Sequence, residues 1–546
     1  MSAALPPAVA ARAATRLAVL AFALAGAAAC GKGGGKPRST TTLVVRVTDG
    51  GAPVAARVLL FDASGQPVHI GGIDLYGKRQ GGAACAIASN VVGSWDGLIV
   101  ADGLAEVPIG VDACVPSPAI KYGHYTVWAW RGIEYEKWEG QVDLYANRGR
   151  VELAIALERA WQPHGTLAAD LHVHASASND SRLPNPQRVI AQLAAGIQVV
   201  ALTDHNTNGD LDAEILQLGA ESRIASIAGN ELTANAQHVN VYPVPFDRNL
   251  PRGGAPAEAS VINATAQQLF DIGRAMKTNP IVQVNHPRFR VNSLYDSVAW
   301  DGVKWPPPFP LGFDAVEVLA GYSAFNVEGD RRLDDGVRDL YTLVDHGHLV
   351  IGLANSDTHD LNWVLDGTAR TYVFTDDART KPFDESGFIA ALRRRRVVAT
   401  TGPWLDVEAS AKQGATPTVG AGQSLAPDAG GVWLDITVQQ TKWVKAERIR
   451  ITVGAATGPQ LAHTIDVPAG VREHHWAGRI EVGSADTWIG VTADGDTAMP
   501  LEFTGTYQKD KWNRAGVTPF ALISPILVDA DADGRWKRGA ADLALH

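Results

Sequence analysis

The chain has 546 residues, of which 46% are hydrophobic and 19% are charged, as is typical of a globular and not of a disordered protein. This length allows two to four domains and at least one large core. The formal net charge of -10 argues against a general nucleic-acid-binding protein, because binding to phosphates requires a basic surface. We therefore expect no nucleic-acid partner.

Residues 1–30 have the pattern of a targeting segment. Two arginines precede an apolar run, "LAVLAFALAGAAAC", that is too short to span a bilayer comfortably. The segment ends at Cys30, is followed by a Gly-rich linker over residues 31–40, and resembles a bacterial lipoprotein signal. The resemblance implies a lipidated Cys30 that anchors the protein in the cell envelope, at the outer membrane. Ala27 stands where Leu is usual, so a secreted form and an uncleaved anchor remain alternatives.

Three cysteines occur in the chain. With Cys30 assigned to lipid, Cys85 and Cys114 remain, and in an oxidising compartment they either pair or stay as two separate thiols. Neither has a Cys or His neighbour at the spacing of a metal site.

Residues 41–160 are predicted to form an all-β module. Stretches such as "TTLVVRVTDGGAPVAARVLLFDASG", "YTVWAW" and "RVELAIALE" alternate apolar and polar residues between turn signals. This texture favours a small sandwich with a binding, spacer or shielding role.

From residue 164 to 405 the pattern changes to an alternation of strands and helices. Apolar strand-like runs alternate with helical patterns such as "PNPQRVIAQLAAG" and "ATAQQLFDIGRAM", which predicts βα units around a parallel sheet or barrel. The basic run Arg393–Arg396 ends one such pattern and is expected to form a helix C-terminus. In residues 406–546 the sequence returns to strand-like patterns, which predict a second β-domain.

Residues with metal-binding side chains recur at the predicted strand ends of the middle region. In a parallel barrel these ends share one face, so residues far apart in sequence would converge there. Imidazole and carboxylate together suit Zn, Mn or Fe, and two or three divalent ions are expected. By contrast, His346 and His348 of "DHGH" lie where a helix ends and the next strand begins, and we interpret them as structural.

The series "DLHVH", "TDHN", "GNEL", "QHVNVY", "NHPR" and "NSDTH" resembles the PHP (polymerase and histidinol phosphatase) superfamily. The pieces "FDAVEVL", "GTARTYVFTDD" and "RRRVVATTGPWLDV" look like its CehA/McbA branch of metallohydrolases. The resemblance implies a distorted, TIM-like (β/α)7 barrel, here flanked by two all-β domains. It also implies the following metal ligands: His172, His174, His205, Glu231, His238, His286, Asp357 and His359.

An acidic ligand often follows the first motif in that superfamily. Asp180 is the candidate, with Asn179 as its competitor. Asp170 and Asp204 are instead expected to orient imidazoles from behind.

The implied chemistry is hydrolysis by a metal-activated hydroxide, with Glu231 as the bridging carboxylate and Asp357 or a histidine such as His205 moving protons. An ester, amide or carbamate bond is the first expectation and a phosphoester bond the alternative. A non-catalytic envelope binding protein is the alternative of another class.

The substrate is expected to be a small molecule or a fragment of a polymer, and the sequence leaves its identity and the oligomeric state open. Arg288, two residues after His286, is the candidate for binding an anionic group, although a surface arginine after a proline turn fits the pattern equally well. Arg182 and Arg370 are weaker candidates. The aromatic-rich insertion at residues 293–313 is expected to form a loop over the barrel mouth or to cover strands.

A second cation site is a candidate near the C-terminus. In "DADADG", Asp529, Asp531 and Asp533 precede Gly534, as at the start of a calcium loop. Ala540 occupies the twelfth position, where a bidentate Glu is expected. The pattern therefore fits either a partial calcium site or a solvated acidic turn.

Overall fold

The fold is mixed α/β and rich in strands. The computed structural model describes residues 41–68, 70, 86–94, 97–110, 120–289, 293–304, 309–321, 332–505 and 517–545. The targeting segment, the linker and the three cysteines Cys30, Cys85 and Cys114 lie outside these residues. Within the described residues, no helix combines the length and the apolar character that crossing a bilayer requires.

The N-terminal part consists of two sheets that share one core. β1 pairs with β7, β10 and β2, and a second sheet has the order β4-β5-β6-β3-β8-β9. Side chains of both sheets, such as Val45 and Val127, lie in the same apolar cluster because alternate residues of a strand face the same side. The strands are β1 (Thr41–Asp49), β2 (Ala52–Pro53), β3 (Ala56–Phe61), β4 (Ala86–Ala88), β5 (Val91–Gly93), β6 (Gly97–Val100), β7 (Leu104–Ile109), β8 (Gly123–Trp130), β9 (Trp138–Leu144) and β10 (Gly149–Leu157).

The middle part alternates strands and helices, as its sequence pattern predicts. The strands are β11 (Thr166–Val173), β12 (Val199–Leu202), β13 (Ala225–Ala228), β14 (Asn230–Thr233), β15 (His238–Tyr242), β16 (Ile281–Val284), β17 (Ala315–Ala320), β18 (Ile351–Asn355), β19 (Arg370–Phe374) and β20 (Val397–Thr400). The helices are α1 (Asn185–Ala194), α2 (Asp212–Gln217), α3 (Glu258–Val261), α4 (Ala266–Arg274), α5 (Leu294–Ser297), α6 (Arg332–Asp345) and α7 (Glu385–Arg393), with a 3-10 helix at Pro251–Gly254.

Local sequence signals explain two of these helix ends. At the start of α4, the Thr265 hydroxyl accepts from the backbone of Gln268 while the Gln268 side chain accepts from the backbone N–H of Thr265, a reciprocal capping box. α7 ends at Arg393, so the basic run Arg393–Arg396 is a helix C-terminus, as predicted.

The strands of the middle part lie in two sheets whose edges meet. β11, β12 and β13 are parallel, and β16, β17 and β18 are parallel in the second sheet. Single bridges connect Val173 with Thr358 and His205 with Glu231. Because both bridges lie at or beyond the carboxyl ends of β11, β12 and β18, these ends are brought together at one edge. The closed barrel remains a prediction.

The C-terminal part extends the sheet that contains β11. An eleven-stranded sheet has the main order β13-β12-β11-β19-β20-β28-β27-β24-β25, and a three-stranded sheet, β21-β23-β26, shares an apolar cluster with it. The elements are β21 (Trp404–Ser410), β22 (Ser424–Leu425), β23 (Gly431–Gln439), β24 (Arg448–Ala455), β25 (Gly458–Asp466), β26 (Glu473–Glu481), β27 (Thr487–Asp494), α8 (Leu501–Thr504), β28 (Phe520–Ile523), β29 (Ile526–Val528), β30 (Arg535–Arg538) and β31 (Ala541–Ala544). The large sheet thus crosses the predicted boundary at residues 405–406, and the domain boundaries stay predictions.

Buried arginines connect the N-terminal sheets to the middle part. Arg57 of β3 donates to the backbone oxygen of Leu361 at 2.6 Å, and Arg131 donates to that of Leu193 at the end of α1 at 2.8 Å. Because Leu361 belongs to the loop after β18, the N-terminal sheets support the segment that carries Asp357 and His359.

Candidate metal centre

The predicted ligands converge at one edge of the two sheets of the middle part. His172 lies on β11, and most of the others lie on or just after a strand end. β15 runs antiparallel to β14, so its first residue, His238, lies at the same edge as the end of β14. The residues brought together are His172, His174, Asp180, His205, Glu231, His238, His286, Asp357 and His359. We call this set the histidine cluster, and the ligand roles of its members stay predictions.

Glu231 lies at the centre of the cluster and is fully buried. Its Oε1 atom is 3.2 Å from His172 Nε2 and from His238 Nδ1, and 3.7 Å from His286 Nε2. Its Oε2 atom is 2.6 Å from His205 Nδ1. The two carboxylate oxygens therefore face different histidines, as a bridging carboxylate between two ions requires.

Asp357 contacts the two histidines of the first motif. Its Oδ1 atom lies 3.2 Å from His172 Nε2 and 3.1 Å from His174 Nε2. The backbone of Asp357 has a φ of 52°, and its N–H donates to the carbonyl of His172 at 2.9 Å. This left-handed conformation is uncommon for a non-glycine residue, and the hydrogen bond to β11 holds Asp357 in it.

Asp180 lies at the solvent side of the cluster. Its Oδ2 atom is 3.2 Å from His205 Nε2 and 3.2 Å from His359 Nε2, while its side chain is 42% exposed. The structure therefore places Asp180, and not its competitor Asn179, among the predicted ligands. The exposure also shows where the otherwise buried cluster opens to solvent.

Ligand atoms group closely enough to hold cations. Three groups have all their ligand atoms within 4.8 Å of one another: His174, Asp180, His205 and His359; His172, His174 and Asp357; and His205, Glu231 and His238. His286 stands beside these groups through its contact with Glu231.

Several buried polar atoms of the cluster lack a hydrogen bond. A buried nitrogen or oxygen without a partner is destabilising, and native proteins satisfy more than nine in ten of them. Here several such atoms belong to the cluster; they are His172 Nε2, His174 Nε2, His238 Nε2, His286 Nδ1 and Glu231 Oε2. Of these, His172 Nε2 and His174 Nε2 lie 3.2 and 3.7 Å from oxygens of the Glu231 carboxylate without forming a hydrogen bond. Imidazole nitrogens and a carboxylate oxygen are suitable donors for Zn, Mn or Fe, so the residues present fit a metal site.

The charge of the cluster supports this assignment. With neutral imidazoles, the carboxylates of Asp180, Glu231, Asp357 and the neighbouring Glu317 leave four negative charges in a mainly buried volume. Burying unbalanced charges is strongly unfavourable, and two divalent cations would neutralise these four.

The pKa values of the carboxyl groups show the same imbalance. Burial raises the pKa of Asp357 to about 6. Burial also opposes ionisation of Glu231, but the imidazoles of His205, His238 and His172 outweigh it and hold the pKa of Glu231 well below its usual value. The ionised form of Glu231 is therefore stabilised by the imidazoles around it.

The pKa of each histidine depends on the balance between burial, which lowers it, and nearby carboxylates, which raise it. Burial, together with the nearby His359 and His205, lowers the pKa of His174 well below its usual value. Burial opposes protonation of His205 as well, but Glu231 and Asp180 raise its pKa to about 10. His238 remains dominated by burial, which lowers its pKa to about 4. A neutral imidazole is the form that binds a metal, so cations here would replace the protons of the histidines next to carboxylates.

Glu317 of β17 also lies beside the cluster, although its role was not predicted from the sequence. This glutamate is 1% exposed, and its Oε1 atom lies 2.8 Å from His172 Nδ1. The signal was present in "FDAVEVL", where one carboxylate interrupts an otherwise apolar strand.

The role of Arg188 of α1 was not predicted from the sequence either. Its fully buried guanidinium pairs with Asp366 at 2.6 Å, and it donates to the backbone oxygens of His174 and Thr358. Because these two backbone segments carry ligands from β11 and β18, Arg188 holds the two strand ends together. A polar residue inside an amphipathic helix gave no signal for this role.

The expected roles of Asp170 and Asp204 need correction. Asp170 contacts the loop after β18 and not an imidazole, because its carboxylate accepts from the backbone and hydroxyl of Ser356 at 2.9 and 2.6 Å. Asp204 accepts from the backbone N–H of Ala175 at 2.7 Å, and burial raises its pKa to about 6. Both carboxylates fix the backbone next to ligands.

Arg288, the predicted substrate-binding residue, is engaged elsewhere. It forms a two-pronged pair with Asp339, at 2.6 and 3.0 Å, and its third donor is bonded to the backbone oxygen of Trp300. The geometry therefore gives Arg288 a structural role, the alternative that its sequence context already allowed. Arg370 is likewise buried and donates to backbone oxygens, whereas Arg182 is exposed.

Part of the insertion at residues 293–313 packs into the core. Tyr295, Trp300, Phe309 and Phe313 are buried in one apolar cluster with strands of the second sheet. In its described residues, 293–304 and 309–313, the insertion therefore covers strands, as one of its two interpretations predicted.

The remaining candidates lie away from the cluster. His346 and His348 follow α6 and precede β18, the position that the sequence predicts, and His346 Nδ1 lies 2.9 Å from the backbone oxygen of Thr342. Their structural interpretation stays a prediction. Asp529 and Asp531 lie close to Asp486, whereas Asp533 pairs with Lys537. Calcium binding there stays a prediction.

Comparisons with known proteins add no identity to this geometry. Neither a scan against protein-family models nor a search of curated proteins finds a match for this chain. The buried groups of His, Glu and Asp, which are compatible with a metal site, are therefore the main guide to function.

Proposed function

We propose that this protein is a metal-dependent hydrolase of the PHP type, related to the CehA/McbA branch. The motifs quoted above support the family, and the histidine cluster supports the metal dependence. The observation that carries the proposal is the set of buried imidazole and carboxylate atoms of the cluster that lack hydrogen bonds. A structural polar core would instead pair these atoms with protein donors and acceptors.

The barrel that we infer from the resemblance is supported by the edges of the two sheets. At one edge β11 is connected to the residues after β18 by the bridge from Val173 to Thr358, and at the other edge the bridge from His205 to Glu231 connects β12 with β14. Closure through these two edges gives the order β11-β12-β13/β14-β15-β16-β17-β18. A barrel with these seven strand positions would place all the candidate ligands at one end.

The proposed chemistry assigns different tasks to the central residues. Bound divalent ions supply a hydroxide at neutral pH by lowering the pKa of water to about 7. Glu231 holds two halves of the cluster at a fixed separation through its two oxygens. Asp357 and His205, which lie within the cluster, are placed to accept and return a proton during leaving-group departure.

The substrate is proposed to approach from the side of Asp180. Asp180 is 42% exposed, whereas the side chains of His172 and His174 are 0% exposed, so the reacting bond must enter past Asp180 and His205. The deep residues exclude water and keep the inner ligands in place. A small molecule or the end of a polymer fragment fits this direction of access.

An ester, amide or carbamate bond is the proposed target. Phosphoester hydrolysis needs cationic groups that hold the phosphate oxygens, and Arg288, the main candidate for this task, is engaged with Asp339. We therefore favour the carbonyl substrates that the resemblance to the CehA/McbA branch implies over phosphoesters.

A screen of purified protein tests the proposal. The protein without its targeting segment is expected to contain Zn, Mn or Fe and to hydrolyse carboxyl-ester or carbamate substrates in preference to phosphoesters. His172→Ala is expected to lose both metal and activity, while His463→Ala, a variant at an exposed histidine of β25, keeps both. A metal-free parent protein, or full activity in His172→Ala, contradicts the proposal.

The cell-envelope location is a separate proposal. It rests on Cys30 and the apolar run before it, which would attach the protein to the membrane by lipid alone. In a bacterial host the full-length protein should be labelled by palmitate and should sediment with membranes. Cys30→Ala should not be labelled by palmitate, whether it is found in the soluble fraction or in the membrane. Unchanged labelling in Cys30→Ala contradicts lipidation at this residue.

A further inference from the structure

Glu317 stands immediately behind the histidine cluster. It lies in the middle of β17, is 1% exposed, and belongs to a strand whose other residues are apolar and buried. A buried carboxylate in such a strand is strongly unfavourable unless it is fully hydrogen-bonded. The hydrogen-bond partners of Glu317 therefore indicate its role.

Both carboxylate oxygens of Glu317 accept hydrogen bonds from protein donors. Its Oε1 atom lies 2.8 Å from His172 Nδ1, 3.2 Å from Gln283 Nε2 and 2.9 Å from Asn355 Nδ2. Its Oε2 atom accepts from the backbone N–H of His286 at 2.7 Å. Three donors on Oε1 and one on Oε2 engage both oxygens of Glu317, and Glu317 belongs to none of the three groups of closely spaced ligand atoms in the cluster.

Glu317 and Glu231 therefore differ in how their carboxylate oxygens are hydrogen-bonded. Both are buried glutamates in contact with His172, but Glu231 has an oxygen without a hydrogen bond that faces other histidines. Both oxygens of Glu317 are engaged by protein donors, and Glu317 contacts the far side of the same imidazole. Glu231 is thus suited to bind ions, and Glu317 is suited to position a group that binds them.

The contact at His172 Nδ1 determines which nitrogen of this ring carries the proton. Glu317 is an acceptor only, so Nδ1 must be the donor, and the lone pair of a neutral ring is then on Nε2. Nε2 is the atom that lies 3.2 Å from both Glu231 and Asp357, inside the cluster. One hydrogen bond therefore fixes both the tautomer and the direction of the ring.

The contact at His286 acts on the backbone. His286 has a φ of 28°, a conformation that is uncommon for a non-glycine residue, and it follows the carboxyl end of β16. Because Glu317 accepts from the N–H of His286, the same carboxylate holds this second imidazole at its place in the cluster.

We propose that Glu317 is a positioning residue that fixes the Nδ1–H tautomer of His172 and the backbone of His286, so that both imidazoles present Nε2 to the metal site. The inference rests on the proposed metal-dependent function. It adds a residue that does not touch the ions and yet controls their affinity and ligand geometry.

The test uses Glu317→Gln in the protein without its targeting segment. The glutamine amide has nearly the same shape but places an NH2 group against donors on one side of the carboxylate site. We expect Co²⁺ affinity to fall about 10- to 100-fold and the visible absorption bands of bound Co²⁺ to shift, because partners of this type have effects of that size. Parent affinity with an unchanged spectrum in the folded variant overturns the proposal.

The matched control is Asp339→Asn, another buried carboxylate exchanged for its amide, outside the cluster. Its side chain is 2% exposed and pairs with Arg288. It is expected to lower thermal stability while leaving Co²⁺ affinity and the Co²⁺ spectrum unchanged. An equal loss of Co²⁺ affinity in both variants assigns Glu317 to general stability and overturns the proposal.

A second measurement on the unaltered sequence does not depend on folding of the variant. In protein labelled with 15N-histidine and loaded with Zn²⁺, the resonance that disappears in His172→Gln is expected to show a protonated Nδ1 and an unprotonated Nε2, and Nδ1 is expected to keep its proton when the metal is removed. A protonated Nε2 with a bare Nδ1 overturns the proposal. A parent that binds no Co²⁺ contradicts the metal-dependent function, and the tautomer still decides the positioning by Glu317.

Discussion

Two acidic regions of this molecule have sequences that predict cation binding, and their structures differ in what the carboxylates already contact. In the histidine cluster, ring nitrogens and a glutamate oxygen are buried without hydrogen bonds. In the acidic turn of Asp529, Asp531 and Asp533, the carboxylates are occupied by the loop itself. Asp529 accepts from the backbone of Asp533 and Gly534, at 3.2 and 2.9 Å.

The neighbouring aspartates of the turn are used in the same way. Asp486 accepts from the backbone of Ala530 at 2.8 Å and from that of Lys537 at 2.7 Å, and Asp533 pairs with the side chain of Lys537. These bonds are the ones that Asp residues commonly make in turns. Closeness of acidic groups therefore does not distinguish the two regions, whereas unsatisfied buried atoms do.

The largest effect is expected for Glu231→Gln. The change keeps the volume but removes the charge that faces both halves of the cluster, so activity on the best substrate should fall about a thousandfold, more than for a residue that only supports a ligand. Steady-state rates and metal content by mass spectrometry measure this. Activity within tenfold of the parent would show that Glu231 does not bridge ions.

Metal removal should produce the next largest effect. The ions bind the folded state, and saturation at 100 times the dissociation constant adds about 2.7 kcal/mol to its stability. Prolonged treatment with a chelator should lower the thermal midpoint by about 2–5 °C, for one or two ions, and adding Zn²⁺ or Mn²⁺ should restore it. Calcium added instead should restore nothing, since the cluster offers imidazoles.

The sequence was sufficient to predict the residues of the cluster but not the residues that support it. His172, Glu231 and Asp357 stand at strand ends, where parallel strands place polar side chains at one edge, so their convergence followed from the pattern. Glu317 and Arg188 act from the interior of a strand and of a helix. Their partners are 145 and 178 residues away in sequence, and no local pattern indicates such pairs.

Local sequence also did not indicate the contacts of Arg288 and Asp180. Arg288 follows His286 closely, yet its side chain is directed to Asp339 of α6, 51 residues later, because that carboxylate is buried and needs a partner. Asp180 was the candidate and Asn179 its competitor because the spacing of this motif is loose, and only the path of the loop brings Asp180 to His205 and His359.

Arg288→Met should have a smaller effect, and on stability alone. The substitution leaves Asp339 with Arg338 as its remaining cationic partner, at 3.1 Å, so we expect a loss of about 2 kcal/mol from a partly unsatisfied buried carboxylate. Urea unfolding followed by fluorescence measures this loss. The KM for the best substrate should be unchanged, and a tenfold rise in KM without a loss of stability would restore the predicted role in substrate binding.

The smallest effect is expected at the acidic turn. Asp531 is exposed, and its carboxylate makes one backbone contact, with Asp533 at 3.2 Å, so Asp531→Asn keeps an acceptor for that bond and should change stability by less than about 0.5 kcal/mol. Millimolar Ca²⁺ should leave the thermal midpoint of the parent and of the variant equal, because the best-placed oxygens, those of Asp486 and Asp529, already accept backbone N–H groups. A Ca²⁺-dependent rise in the midpoint of the parent that Asp531→Asn abolishes would show that the turn exchanges these bonds for an ion. Unpaired buried atoms would then be a sufficient sign of a cation site in this protein, but not a necessary one.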